Sequence, residues 1–213
     1  MQIKTSPPRP LPVIVLADVS GSMAELGKIE TLNAALRDMV SGLAAETDIR
    51  GEIQLALVTF GNAKAELAAP PTPVRELSVL PLSASGNTPM GAAFELTQQL
   101  LSDKAVIPVR AFAPTLVLVS DGHPTDAWKA PLAALLGSDR GSKAQRFALA
   151  IGLDADRHVL REFAGSDERL VEVADARQIA RFFRWVTMSV ALRSRAMNPN
   201  APSLPLYRMT DDT

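Results

Sequence analysis

The stretch Val13-Ile-Val-Leu-Ala-Asp-Val-Ser-Gly-Ser-Met23 decides the organisation of the chain. It begins with a continuous apolar run, Val13 to Ala17, which follows a proline and ends at an acidic, serine-rich loop. Such a run is typical of a strand that is buried on both faces of a parallel sheet. Ligands of open parallel sheets bind outside the carboxyl ends of the strands. We therefore predict a buried strand here and a candidate ligand-binding loop directly after it.

Strands and helices alternate along the rest of the chain. Apolar or alternating patterns predict further strands at Glu52–Phe60, Lys64–Ala68, Thr115–Ser120, Arg146–Gly152 and Leu170–Val173. Apolar residues at helical spacing predict helices at Lys28–Glu46, Pro89–Ser102, Ala127–Leu136, Asp156–Phe163 and Ala176–Arg195. A proline-rich connection, Pro70–Pro81, follows the edge strand. This alternation predicts an α/β fold with a doubly wound, mostly parallel sheet flanked by helices.

The ends of the chain have a different composition from its centre. Residues 1–12 contain four prolines and no apolar core of a signal peptide, and proline recurs after Asn198 without any periodicity. We expect an N-terminal extension at residues 1–12, one domain at residues 13–195, and an extended or mobile C-terminal tail at residues 196–213.

Composition excludes several classes of function. The net charge of the 213 residues is −1 and no basic stripe is present, so nucleic-acid binding has no support. The chain has no cysteine, which excludes disulfides, thiol catalysis and cysteine-type zinc sites. No apolar run approaches the roughly 20 residues that span a bilayer. We expect a cytoplasmic protein without a membrane segment.

Three loops carry oxygen-bearing side chains to one predicted edge of the sheet. The first loop supplies Asp18, Ser20 and Ser22, the loop before the second helix supplies Thr88, and the loop after Thr115–Ser120 supplies Asp121. Hard cations such as Mg²⁺ or Mn²⁺ prefer oxygen ligands. Two carboxylates neutralise a divalent ion only formally, and the other ligands are uncharged hydroxyls. We therefore predict a cation site that attracts a further carboxylate from a partner.

Neighbouring residues have simpler explanations that compete with a functional role. Gly21 allows the first loop to turn, Asn87 and His123 flank the predicted site, and all three are candidate partner contacts. Thr88 would serve as an N-cap without any metal, and Asp126 is expected to cap the helix that follows it. His123 is not expected to act as a catalytic base, because no serine lies in a nucleophile elbow.

The chain resembles the von Willebrand factor A (VWA) domain family over residues 11–195, and its loops resemble the family's metal-ion-dependent adhesion site. Within the family it is most similar to bacterial TerY-type proteins of tellurite-resistance and stress-response gene clusters. The stretches that carry this narrower resemblance are Asp18–Met23, Thr59–Gly61, Gly86–Gly91, Ser120–Asp126 and Phe182–Val186.

The resemblance implies a six-stranded sheet of order 3-2-1-4-5-6 with one antiparallel edge strand. It also implies a scaffold that binds Mg²⁺, Mn²⁺ or Ca²⁺ and works beside a protein kinase or a metal-dependent Ser/Thr phosphatase. Some relatives have a cysteine-rich extension, which this cysteine-free chain lacks.

The expected function is a metal-dependent protein-interaction module rather than an enzyme. Two alternatives stay open. One is a metal-dependent phosphoester hydrolase, although the sequence offers no well-placed general base or second metal site. The other is a VWA subunit of an AAA+ ATPase machine.

Overall fold

The computed structural model describes residues 8–47 and 50–200. Within these residues the strands are β1 (Arg9–Asp18), β2 (Gly51–Gly61), β3 (Lys64–Pro73), β4 (Thr115–Ser120), β5 (Gln145–Ile151) and β6 (Leu170–Val173). The α-helices are α1 (Lys28–Ala44), α2 (Met90–Ser102), α3 (Lys129–Gly137), α4 (Arg157–Ala164) and α5 (Arg177–Arg195). Short 3₁₀ segments lie at Gly21–Gly27, where the backbone of Glu25 and Leu26 is not helical, and at Asp167–Arg169.

The strands form one sheet in the order β3-β2-β1-β4-β5-β6. Only the pair β2–β3 is antiparallel; the other pairs among the described strands are parallel. This arrangement confirms the predicted α/β fold and its strand order. Every residue of β4 is buried, as the continuous apolar pattern predicts for a strand covered on both faces.

Two apolar cores lie on the two faces of the sheet. Val13, Val15 and Ala17 of β1 face the core that α1 and α5 cover. Ile14 and Leu16 face the core that α2, α3 and α4 cover. Successive side chains of a strand point to opposite faces, so one apolar run contributes to both cores. Their packing fixes the strand ends from which the loops emerge.

The first strand begins at Arg9, not at Val13 as predicted. Pro10 and Pro12 pair with β2, but β4 joins β1 only from Val13 onward. The carbonyl of Pro10 accepts a hydrogen bond of 2.8 Å from Phe112 N on the β4 side. Prolines fit a strand where no neighbour needs their missing N–H. The sheet therefore includes part of the predicted N-terminal extension, whose residues 1–7 lie outside the described residues.

The proline-rich connection is partly sheet, because β3 continues to Pro73. Beyond it, Leu77, Val79 and Leu82 pack half-buried on the core beside α1. The segment that leads from β3 to α2 therefore packs against this core.

The end of α5 is tied to the base of the sheet. The buried guanidinium of Arg193 donates to the carbonyls of Ala113 and Pro199 and to the Thr115 hydroxyl. Ala113 N also donates to the side chain of Asn200. The predicted tail is thus anchored through residue 200, and the rest of it lies outside the described residues. No helix in residues 8–47 or 50–200 combines the length and the apolar character that crossing a bilayer requires.

Candidate metal site

The loop after β1 is held down by its apolar residues, which leaves its polar side chains free for the site. Met23 is fully buried and Val19 nearly so. Val19 N donates to Phe60 O at 2.9 Å, and Val19 O accepts from Ser85 N at 2.7 Å. The loop is therefore fixed to β2 on one side and to the loop before α2 on the other.

Asp18 ends β1 as a buried carboxylate with hydrogen bonds to both oxygens. Ser20 N donates to Oδ1 at 2.8 Å, an Asx-type turn that fits the Asp-x-Ser spacing. Ser120 Oγ donates to Oδ2 at 2.5 Å. Burial raises the pKa of Asp18 to about 6, although the hydrogen bonds from Ser120 and Ser20 oppose the rise. The negative charge of the neighbouring Asp121 adds a smaller contribution to the rise.

Asp121 lies beside this loop because β1 and β4 are neighbouring strands that end at the same edge. Ser22 Oγ donates to Asp121 Oδ1 at 2.7 Å, and the hydroxyl oxygens of Ser20 and Ser22 are 3.2 Å apart. The structure thus brings together the residues that the sequence predicted from the first and third loops. Ser120, which holds Asp18, was missed because a strand-end serine has no distinguishing pattern.

Thr88 joins the same cluster from the second loop. A methyl group added at Gly122 would lie 3.5 Å from Thr88 Oγ1 and 3.9 Å from Ser22 Oγ, so both hydroxyls approach one point. The loop is fixed by a 2.9 Å hydrogen bond from Gly21 N to Gly86 O. Gly86 has a φ of +73°, and a side chain there would collide with Asn62.

The cap predicted for Asp126 is wrong. Its carboxylate accepts from Gly91 N at 2.8 Å and from Ala92 N at 2.9 Å, so it caps α2 and not α3. The backbones of Thr88 and Thr125 are also paired, through a 2.9 Å bond from Thr125 N to Thr88 O. The loop that carries Asp121 therefore positions the loop that carries Thr88.

Lys28 is the charged residue at this site that the sequence analysis missed. Its Nζ lies 2.6 Å from Asp121 Oδ2 and 3.3 Å from Ser22 O. The Asp121 side chain is fully buried and that of Lys28 nearly so. The sequence shows only that Lys28 lies at the start of a helix. The direction of the Lys28 side chain depends on the turn that precedes the helix.

The three candidate partner contacts, Gly21, Asn87 and His123, are all exposed. Gly21 does not have a positive φ, whereas Gly86, in the neighbouring loop, has a φ of +73°. His123 Nδ1 lies 3.1 Å from Asp156 Oδ2, and Asp156 also caps α4 through His158 N and Val159 N. His123 is thus held at the mouth of the third loop.

The donor set fits a hard divalent cation. Two carboxylates, Asp18 and Asp121, and three hydroxyls offer oxygen atoms only, which suits Mg²⁺ and Mn²⁺ better than softer ions. Within the described residues, no cluster of three or more His, Asp or Glu side chains forms a rival site. A divalent ion that is held by two carboxylates and uncharged hydroxyls can still attract one more negatively charged oxygen.

Solved structures share this fold at low sequence identity. Proximal thread matrix protein 1 from the mussel byssus aligns with a TM-score of 0.65 at 17% identity, over 93% of this chain and 48% of that one. Its form with a zinc-occupied MIDAS motif aligns with a TM-score of 0.64 at 15% identity, over 84% of this chain and 48% of that one. The ArnB paralog VWA2 from Sulfolobus acidocaldarius aligns with a TM-score of 0.60 at 16% identity, over 86% of this chain and 45% of that one. The chain thus spans about half the length of these proteins.

Comparison with curated proteins gives no sequence match. The model of the von Willebrand factor type A domain, by contrast, matches residues 13–185, which include β1 from Val13 onward, all of β2 to β6 and all three loops of the site. This match and the observed strand order show that the chain belongs to the von Willebrand factor type A domain family.

Proposed function

We propose that this protein is a metal-dependent protein-interaction module that binds a carboxylate of its partner through a divalent cation. Asp18, Ser20, Ser22, Thr88 and Asp121 would hold the ion directly or through water, and Mg²⁺ is the expected ion, with Mn²⁺ or Ca²⁺ as substitutes. The observation that carries the proposal is the meeting of these oxygen donors from three separate loops at one edge of the sheet.

The family supports this assignment. VWA domains are metal-dependent protein-interaction modules, and a structural neighbour has a zinc-occupied MIDAS motif. The three exposed residues at the rim, Gly21, Asn87 and His123, are the proposed partner contacts.

The cellular setting is proposed from the TerY-type resemblance alone. We propose a cytoplasmic scaffold of a stress-response or tellurite-resistance system, with a protein kinase or a metal-dependent Ser/Thr phosphatase as its partner. Co-purification with an AAA+ ATPase instead would indicate the ATPase-linked alternative.

The test is capture of partners from native lysate by the immobilised protein, with Mg²⁺ and with excess EDTA. Wild type should retain a partner only with Mg²⁺, and Asp18→Ala should retain none. Circular dichroism of the variant shows whether it is folded. Capture in EDTA, or capture by a folded Asp18→Ala protein, would contradict the proposal.

A second candidate is a metal-dependent phosphoester hydrolase. One observation favours it: His123 and Asp156 form a pair next to Gly122, where a base could act on a metal-bound water. Mg²⁺-dependent turnover that both Asp121→Ala and His123→Gln abolish would support hydrolysis. An absence of turnover across a phosphoester panel with Mg²⁺ and Mn²⁺ would exclude it.

A further inference from the structure

Lys28 forms a desolvated ion pair with one of the proposed metal ligands. Its Nζ is 2.6 Å from Asp121 Oδ2, while Ser22 Oγ donates to the other carboxylate oxygen at 2.7 Å. The Lys28 side chain is 13% exposed and that of Asp121 is not exposed. Such a pair differs from a surface salt bridge, which solvent screens. The Lys28 ammonium therefore pairs with the same carboxylate that would bind a divalent ion.

The position of Lys28 has a cost for helix α1. Lys28 is the first residue of the helix, where the helix dipole makes a positive charge unfavourable. The turn before it contains two residues in the left-handed region, Leu26 with φ +54° and Gly27 with φ +70°. Leu26 is 87% exposed, so packing does not explain its conformation. The pair with Asp121 acts against the cost of the positive charge at the helix start.

The charges at the site make the ammonium and a metal ion mutually unfavourable. Asp18 and Asp121 carry two negative charges, and Lys28 leaves a net charge of about −1. A divalent ion held by the same two carboxylates would lie close to Nζ, and like charges repel strongly in a partly buried site. The bond between Lys28 and Asp121 must also break before Asp121 Oδ2 can bind the ion.

We propose that Lys28 is a built-in competitor of the metal ion, which occupies Asp121 in the metal-free protein and lowers the affinity of the site for divalent cations. The proposal rests on the metal-binding function proposed above and specifies how that site is regulated. Because a partner carboxylate would offset the surplus positive charge of the filled site, metal and acidic partner bind more tightly together than either does alone.

The test is calorimetric titration with Mn²⁺ alone, at one fixed pH. Lys28→Gln removes the charge but keeps a hydrogen-bond donor, and Lys28→Met is a second neutral variant. Both should bind Mn²⁺ at least tenfold more tightly than wild type. Lys28→Arg keeps the charge and should stay within about threefold of wild type. Lys143→Gln removes an exposed lysine that precedes β5, at the opposite edge of the sheet, and should leave the affinity unchanged.

The outcomes separate this inference from the proposed function. Unchanged or weaker Mn²⁺ binding by folded Lys28→Gln and Lys28→Met proteins would overturn the role of Lys28 and leave the metal site standing. An equal gain in Lys143→Gln would also overturn it, because the effect would then be general electrostatics. Binding by the neutral variants but not by wild type would be its strongest support. No binding by any of these proteins would overturn both proposals.

Discussion

At the residue scale, Asp18 is a carboxylate that the fold buries at the end of its central strand. It accepts hydrogen bonds from Ser20 N and Ser120 Oγ, and burial raises its pKa to about 6. A buried carboxylate of this kind destabilises a protein when it is ionised, unless a cation joins it. A divalent ion bound by Asp18, as proposed above, would offset this cost.

The raised pKa predicts how stability depends on pH in the metal-stripped protein. The pKa of Asp18 is about 6 in the folded state and 3.8 ordinarily, so the folded state binds the proton more tightly. The contribution of Asp18 to the free energy of unfolding is therefore highest below pH 4 and falls as pH rises through 6. The loss amounts to about 3 kcal/mol, at about 1.4 kcal/mol per pH unit.

Asp18→Asn provides the matched control, because it keeps the shape and removes the titration. Urea unfolding between pH 4 and 7 should show wild type losing stability relative to Asp18→Asn as pH rises. Parallel pH profiles for the two metal-stripped proteins would contradict the assignment.

Residue types and spacing predicted which side chains the structure brings together at this edge, but not how those side chains contact one another. Asp18, Ser20, Ser22, Thr88 and Asp121 were predictable because each follows or precedes a recognisable strand or helix at one sheet edge. Lys28 was not, because a long side chain can point several ways from a helix start. Its direction depends on the left-handed residues Leu26 and Gly27.

At the element scale, the start of α2 is capped from another loop. Asp126 binds the amides of Gly91 and Ala92 across about 35 residues of chain, and the sequence wrongly favoured a local cap. Spacing predicts local caps well, but it gives no information on which helix end a loop approaches in the folded protein. The first strand shows a similar limit, since Pro10 and Pro12 suggested an extension and not a strand.

Because Asp126 caps α2, we expect it to affect both the free energy of unfolding and the affinity of the metal site. Asp126→Ala should lower the free energy of unfolding by about 1 kcal/mol, the usual loss for an N-cap. It should also weaken Mn²⁺ binding, because Thr88 precedes the uncapped turn. Asp126→Asn keeps an acceptor oxygen and should retain most of both properties. Denaturant unfolding and calorimetry measure the two effects, and unchanged Mn²⁺ affinity in Asp126→Ala would refute the link between the loops.

At the scale of the whole molecule, the doubly wound sheet explains why residues about 100 positions apart form one site. Ser22 and Asp121 come from loops 99 residues apart, yet their side chains are 2.7 Å apart because β1 and β4 are neighbours. The strand order was predictable from the family resemblance together with the alternation of strands and helices. Both faces of the sheet are packed by helices, so the polar side chains of the three loops meet at its edge.

In the proposed function, this edge of the sheet binds one divalent cation through Asp18 and Asp121. The most direct measurement is the free energy of unfolding in a Mg²⁺ or Mn²⁺ titration, for wild type and Asp18→Asn. Wild type should gain about 3 kcal/mol when the free ion reaches about 100 times its Kd, and Asp18→Asn should gain nothing. A wild-type stability that Mg²⁺, Mn²⁺ and Ca²⁺ all leave unchanged, or an equal gain in Asp18→Asn, would contradict the claim.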